Sequence, residues 1–383
     1  MNLRRYSSVS ERRKAVEEEL HVAFSDTGNF SLDESVASVK NCENMIGATQ
    51  IPLGIAGPLA VSGQGSVVSK YYLPLATTEG ALVASISRGC KVITQSGGAV
   101  VHVEKKGTTR GPVFYTGSLK KSKEFSQWIK TNQLLLKKTA EATSKHVQLK
   151  NTKVQMLADH VFVKFSFDTA DAMGMNMVTI ATQKITEIIT AKTGITCLAV
   201  AGNFDIDKKP AWLNFIENRG ISAWAEVVIK KEVIKKELKT TGQKIFDVWL
   251  GKCMLGSALS GSLGFNAQFA NVIAALFLAT GQDPAHIVEG SMGITTAKVL
   301  KNGDLFFSIY LPALLIGTVG GGTNLATQKE ALQMLGVVGA GKVEKFAGII
   351  AGAVLAGELS LLASLAEGTL AKAHKELGRG EKV

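Results

Sequence analysis

Cysteine is scarce. The chain has four in 383 residues, Cys42, Cys90, Cys197 and Cys253, and no two stand at a C-x-x-C spacing. That excludes a paired-thiolate metal knuckle, and the four read as reduced thiols of a cytoplasmic protein. No G-x-G-x-x-G follows a strand-like run, which excludes a standard Rossmann dinucleotide site. The opening residues, Met1-Asn2-Leu3-Arg4-Arg5-Tyr6, lack the apolar stretch of a secretory signal, and no internal repeat is evident. Charge is missing altogether between Cys253 and Gln282, but serines, asparagines and glycines interrupt that stretch. Within it only 269–280 is strongly apolar, short of the roughly 20 residues a membrane span needs. Buried helices rich in small residues are expected there and at 346–356.

Glycine is in surplus, with 39 residues, against an ordinary usage of about 7%. Backbone lying close to a ligand and closely packed helices both explain such a surplus. Hydrophobic residues make up 46% and charged residues 20%, and the length predicts two or three domains with a real core. The formal net charge is +11, with lysine-rich stretches at 130–153 and 230–244. Nucleic acid, a polyanionic small ligand and a solvated helix face each account for such runs. Neither run interleaves aromatics, which argues against a stacking surface for single strands. Their helical alternation with Glu232, Glu237 and apolar residues favours the solvated face.

Residues 1–40 read as a charged N-terminal helical arm. Residues 41–110 mix Gly/Pro turns with one helix pattern, 80–94. Strand and helix candidates then alternate, at 161–167, 177–193 and 196–201, which predicts a compact α/β insertion. Residues 201–383 read as long helices rich in small residues. The expected fold is therefore α+β: a large helix-rich domain from 41–111 and 201–383, around a small α/β domain at 112–200.

Several residues could carry chemistry, and each has an ordinary alternative. Glu79, in Thr77-Thr78-Glu79-Gly80, is either a first-turn carboxylate favoured by the helix dipole or a catalytic acid. Asp207-Lys208-Lys209-Pro210 is either a surface turn or a lysine placed to stabilise an oxyanion. Asp283, in Gly281-Gln282-Asp283-Pro284, is a turn residue or a partly desolvated carboxylate, whose pKa would rise unless a cation pairs with it. His374 is a solvated histidine near a helix end or a proton donor on a mobile tail. Two glycine-containing strings, Asp171-Ala172-Met173-Gly174-Met175-Asn176-Met177 and Gly317-Thr318-Val319-Gly320-Gly321-Gly322-Thr323-Asn324, precede helix patterns, where backbone amides attract phosphates.

Taken in order, these strings resemble the signatures of one family. Glu43-Asn44-Met45-Ile46-Gly47 followed by Pro52-Leu53-Gly54-Ile55-Ala56-Gly57-Pro58-Leu59 is similar to the substrate-loop and dimer-contact motif of 3-hydroxy-3-methylglutaryl-CoA reductases. Residues 75–90, 171–177, 281–283, 317–324 and 355–362 resemble its other motifs, from about residue 40 to the end. The string at 171–177 looks like class I, in a soluble form without the membrane anchor of animal and fungal members.

The resemblance implies NADPH-dependent reduction of the acyl-CoA thioester to mevalonate, with two NADPH used in sequence. Glu79, Lys208, Asp283 and His374 match the catalytic residues. Lys208 would stabilise the oxyanion, His374 would protonate the leaving thiolate as a closing flap, and Glu79 would donate a proton to the aldehyde. Substrate contacts fall on Arg110, Lys209, Lys252 and Asn271, and coenzyme A contacts on Ser85, Arg88 and Lys239. The dinucleotide would lie on Asp171, Met173, Gly174, Met175, Asn176 and on Gly320, Gly321, Gly322, with Ser144 and Lys145 on the 2′-phosphate. No metal is implied. Lys145 stands where the family has arginine, losing the bidentate fork, and Ala201 stands where many members have serine. A ferredoxin-like fold is implied for the small domain, and a homodimer or homotetramer with the active site between subunits. Three other readings remain: NAD-linked oxidation of mevalonate, a non-enzymatic acyl-CoA binder, and a nucleic-acid binder. The presence of all four catalytic types and the polyanionic ligands count against the last two.

Overall fold

The computed structural model describes residues 2–63 and 68–369. Ten strands are described: β1 Leu53–Ser62, β2 Val68–Ala76, β3 Ala99–Arg110, β4 Val113–Tyr115, β5 Gln148–Leu157, β6 His160–Asp168, β7 Thr196–Ala199, β8 Gly220–Ile229, β9 Ile294–Val299 and β10 Leu305–Leu314. They join in the order β7-β4-β6-β3-β8-β10-β9, with β1 between β2 and β3, and β5 on β6. Strand β3 holds the two halves together. Its residues Val100 to Gly107 pair with β8, and after a register shift Thr108 to Arg110 pair with β6.

On the larger half, helix α3 (Leu82–Gln95), the Phe269–Thr280 helix and the Val343–Glu367 helix bury one continuous core against β1, β3, β8 and β10. Close packing explains part of the glycine surplus: a Cβ at Gly89 would lie 2.0 Å from the Ala356 carbonyl oxygen, so α3 and the Val343–Glu367 helix meet backbone to backbone. By length and composition the Val343–Glu367 helix could cross a membrane, but 78% of its most apolar window is buried in protein. It is the central core helix.

The smaller half has its own core, from Phe114, Phe165 and Phe167 to Val178, Ala181, Ile185 and Ile189. Strands β7-β4-β6-β5 are antiparallel throughout. Helices α4 (Leu119–Thr131) and α5 (Gln133–Glu141) connect β4 to β5, and α6 (Met175–Thr193) connects β6 to β7. The buried residues of α6 recur every three or four positions, which turns one face inward. At the N-terminus, α1 (Val9–Leu20) starts on a Ser8/Glu11 capping box, and α2 (Glu34–Lys40) follows. Val9, Ala37 and Met45 form a small satellite core with Leu325 packed on it.

Several expectations need correction. Residues 41–110 hold three long strands as well as α3, and 201–383 contribute β8, β9 and β10 beside the helices. The lysine-rich stretch 130–153 is not one helix face, since it crosses α4, α5 and β5. In the second stretch Ile234 and Leu238 are buried while Lys235 and Lys236 are exposed, so there the solvated face holds. Among the described residues the last helix ends at Glu367 on a left-handed Gly368.

All four cysteines are free. Burial pushes the thiols of Cys90 and Cys253 up to about 12, so at neutral pH they hold almost no thiolate. Titration of the native protein with a thiol-specific disulfide reagent should therefore modify exposed Cys42 first, with Cys90 and Cys253 reacting only after denaturation.

Candidate active site

The site forms where four loops meet at the seam between the two cores. The loop after β7 carries Lys208, in a left-handed conformation with φ 55°. Its backbone N–H donates to Glu289 Oε1 at 3.3 Å, and its Nζ lies 2.8 Å from Asp283 Oδ2. Asp283 follows the Phe269–Thr280 helix, which stops at left-handed Gly281. A Cβ at Gly281 would sit 2.2 Å from the Gly322 carbonyl oxygen, so the turn presses against the second glycine string. Asp283 then caps a short turn by accepting from Ala285 N at 2.9 Å. Burial pushes its pKa upward, but Lys208, the Ala285 N–H and His286 outweigh burial, and the net shift is down. The raised value expected for an unpaired carboxylate does not occur, because the cation that the alternative required is present.

Glu79 follows β2 and precedes α3, whose first turn holds no acid, so the dipole explanation for it fails. Its carboxylate accepts from Asn271 Nδ2 at 3.3 Å. Asn271, Lys252, Pro210, Ser257 and Ser260 line an open cleft of about 660 Å³. Lys209 is exposed and donates to the Asp207 carbonyl at 3.1 Å. Lys239 ends a helical turn with φ 55° and is exposed. Arg110 is nearly buried and already engaged: it donates to Thr179 Oγ1 at 2.8 Å and reaches Asp205 and Asp207 at 3.2 and 3.5 Å. Ser85 and Arg88, on α3, both bond Ser360 at 3.0 Å, and Arg88 also holds Ser364.

The two glycine strings lie together. Thr318 N–H donates to the Asp171 carbonyl at 2.8 Å, and a Cβ at Gly317 would be 2.7 Å from Met173 N. Gln282, next to Asp283, accepts from Gly317 N at 2.8 Å. The Asp171 carboxylate accepts from Gly341, Lys342 and Val343 N–H at 2.8, 2.9 and 3.0 Å. It thereby caps the Val343–Glu367 helix. Gly174 caps α6 at φ 85°, Met175 is buried and Asn176 is exposed. Gly320 and Gly321, both at positive φ, face open space. Exposed Lys145 and half-buried Ser144 precede β5, whose Gln148 pairs with Asp168 near this string. A cleft of about 400 Å³ lined by Lys105, Lys106, Lys150 and Ala170 opens beside it. His374 lies outside the described residues.

Four buried ionisable residues carry no signal that sequence reasoning picked up. Arg219, before β8, donates to Glu289 at 2.7 Å, Asp207 at 2.9 Å and Thr109 at 2.7 Å. His286 and Glu289 are wholly buried beneath Lys208 and Asp283. Glu358, also fully buried, accepts from Ala267 and Gln268 N–H just before the Asn271 helix, and from Thr295.

Residues 8–379 match the family model described as hydroxymethylglutaryl-coenzyme A reductase. A 3-hydroxy-3-methylglutaryl-coenzyme A reductase from Methanothermobacter thermautotrophicus is 50% identical over 374 residues, covering 97% of this chain and 94% of that protein. One from Methanocaldococcus jannaschii is 51% identical, covering 96% and 92%. A solved structure described as a class II reductase from Streptococcus pneumoniae bound to NADPH in open conformations is 18% identical. It superposes with a TM-score of 0.70 over 95% of this chain and 98% of that one, which is a likeness of fold. These findings define an oxidoreductase. The chain belongs to the hydroxymethylglutaryl-CoA reductase family. They do not carry the class I expectation: the near relatives are archaeal, and the solved structure of like fold is named class II.

Burial alone would raise the Asp171 pKa, but three backbone donors and Lys105 outweigh it and the net shift is down. The stability this provides is fully present above the ordinary aspartate range and is lost as pH falls through the lowered value. Asp171→Asn should cost about 1–2 kcal/mol at neutral pH, and the variant should lose less on acidification than the parent. Denaturant midpoints at neutral and acid pH check both.

Proposed function

We propose that the chain catalyses NADPH-dependent, four-electron reduction of 3-hydroxy-3-methylglutaryl-CoA to mevalonate and coenzyme A. The observation that carries this reading is the 2.8 Å pair of Lys208 and Asp283, set at the seam between the acyl-CoA cleft and the glycine strings. The nicotinamide, when bound, supplies a hydride in each of two reductions. Lys208 stabilises the charge that develops on the thioester oxygen, and later on the aldehyde oxygen. Asp283 keeps the ammonium aimed. Glu79, steadied by Asn271, is the proton donor to the aldehyde oxygen. His374 protonates the departing coenzyme A thiolate, as the motif resemblance implies.

Residues 112–200 form the cofactor domain in this reading, with 41–111 and 201–383 as the acyl-CoA domain and 1–40 as an arm. Support comes from the separate core and the ferredoxin-like strand order of the small half. Residues of both domains at this seam fit a dinucleotide: open Gly320 and Gly321, the lysine-lined cleft and exposed Lys145 suit a polyanion. Arg110 acts in this scheme through Asp205 and Asp207. The enzyme works as a cytoplasmic homodimer or homotetramer whose active site lies between subunits. Leu255 and Leu259, 62% and 92% exposed on the segment that follows Lys252, are apolar surface a second subunit would cover.

Lys208→Ala should lower thioester reduction about 10²–10³-fold with an unchanged melting temperature, read by loss of reduced-nicotinamide absorbance. Turnover near that of the parent would remove Lys208 from the mechanism. Lys145→Ala should raise the KM for NADPH while leaving that for NADH in place, because only NADPH carries the 2′-phosphate. An equal rise for both would put the phosphate elsewhere.

A further inference from the structure

Beneath Lys208 and Asp283 lies a buried histidine with no role in the scheme above. His286 is fully buried in the turn that follows Asp283. Its Nδ1 lies 2.7 Å from Glu289 Oε1. An ionised carboxylate only accepts hydrogen bonds, so Nδ1 carries a proton. Its Nε2 has no hydrogen-bond partner among the described residues and lies 3.8 Å from Asp283 Oδ2. That oxygen is the one that Lys208 Nζ holds. A bare Nε2 lone pair facing a carboxylate would be repelled, whereas a protonated Nε2 is attracted. Carboxylates thus face both ring nitrogens.

The remaining surroundings are charged as well. Asp207 approaches from the Lys208 loop, and its ligand atoms come within 4.8 Å of those of His286 and Glu289, the outline of a metal cradle. Arg219 already donates to both Asp207 and Glu289, so a guanidinium occupies the place that a metal ion would take. The groups that face the ring are therefore Asp283 and Glu289 from its own segment, Asp207 and Lys208 from the loop after β7, and Arg219 from the start of β8.

We propose that His286 is a positioning residue: protonated on both ring nitrogens, it bridges Glu289 to Asp283 and fixes the Asp283 carboxylate on the Lys208 ammonium. Glu289 Oε1 also accepts the Lys208 backbone N–H. The histidine therefore closes a loop, from Lys208 backbone through Glu289, the imidazolium and Asp283 back to Lys208 Nζ. The lysine is held at its backbone and at its ammonium, and the ring's positive charge keeps Asp283 ionised. This rests on the assignment of Lys208 and Asp283 to the reaction.

The test uses the full-length enzyme with His286→Gln, which keeps an amide donor but no charge, beside Lys208→Ala. His286→Gln should lower kcat roughly tenfold and leave KM for the acyl-CoA within about twofold, the pattern of a lost transition-state interaction. The acid limb of its pH–kcat profile should move toward neutral pH, because Asp283 loses a cation that favours its charged form. Unchanged kcat and acid limb would overturn the proposal, and so would a fall in melting temperature and active fraction with the limb in place. If Lys208→Ala is inactive while His286→Gln is silent, only the positioning role falls. If Lys208→Ala keeps full turnover, the catalytic assignment falls and takes His286 with it. A second readout needs no variant. Among the described residues His286 is the one buried histidine, and nitrogen-15 spectra of histidine-labelled enzyme should show that shielded ring protonated at both nitrogens at neutral pH. A neutral ring would overturn the proposal.

Discussion

The structure turns on a single buried guanidinium. Arg219 is 1% exposed, and burying such a charge is unfavourable unless every donor finds a partner. Its partners come from four places: Thr109 at the end of β3, Asp207 and the Ile206 carbonyl in the Lys208 loop, Glu289 below Asp283, and the sulfur of Met175 at the start of α6. One side chain therefore joins the strand that links the two cores, the loop with the reactive lysine, the turn with its carboxylate and the helix that follows the Asp171 string. Arg110 extends the cluster through Asp205 and Asp207. Its charges restrain Asp207, which stays below the usual carboxylate range despite burial, and leave Asp205 raised by burial in excess of its two arginines.

That arrangement explains why a lysine can sit on an irregular loop and still be held firmly. A left-handed non-glycine residue is strained, and Lys208 keeps φ 55° because its N–H is tied to Glu289 and its Nζ to Asp283. Both of those contacts are made within residues 201–383, and Arg219 ties them to the smaller half through Met175.

What could be read from the sequence followed from local chemistry. The apolar segment 269–280 is a helix with those bounds, and α6 begins two residues before its expected start. The candidate residues Glu79, Lys208 and Asp283 stand at loop positions next to regular elements, where motif spacing finds them. The strands of the larger half were hidden for identifiable reasons. β1 contains Gly54, Gly57 and Pro58, which break the alternation a strand should have. β10 is a nearly continuous apolar run, which periodicity cannot tell from a buried helix. His286 and Glu289 follow Asp283 at steps of three along short helical turns, so their common face was legible in principle. Arg219 was not: its partner Thr109 is 110 residues away, and nothing near it in the chain marks it as buried.

The Val343–Glu367 helix has a consequence of a different kind. Its first amides hang on Asp171, and Ser360 and Ser364 near its far end grip Ser85 and Arg88. Seventeen residues at about 1.5 Å each put roughly 25 Å between those attachments. The helix is thus a fixed ruler between the two attachments, stiffened along its length by the core around it. In the proposed reaction an acyl-CoA and a dinucleotide would have to meet end to end. A single residue inserted between Val343 and Ser360 would turn one attachment about 100° relative to the other, and a rod of fixed length thus sets their mutual orientation as well as their spacing.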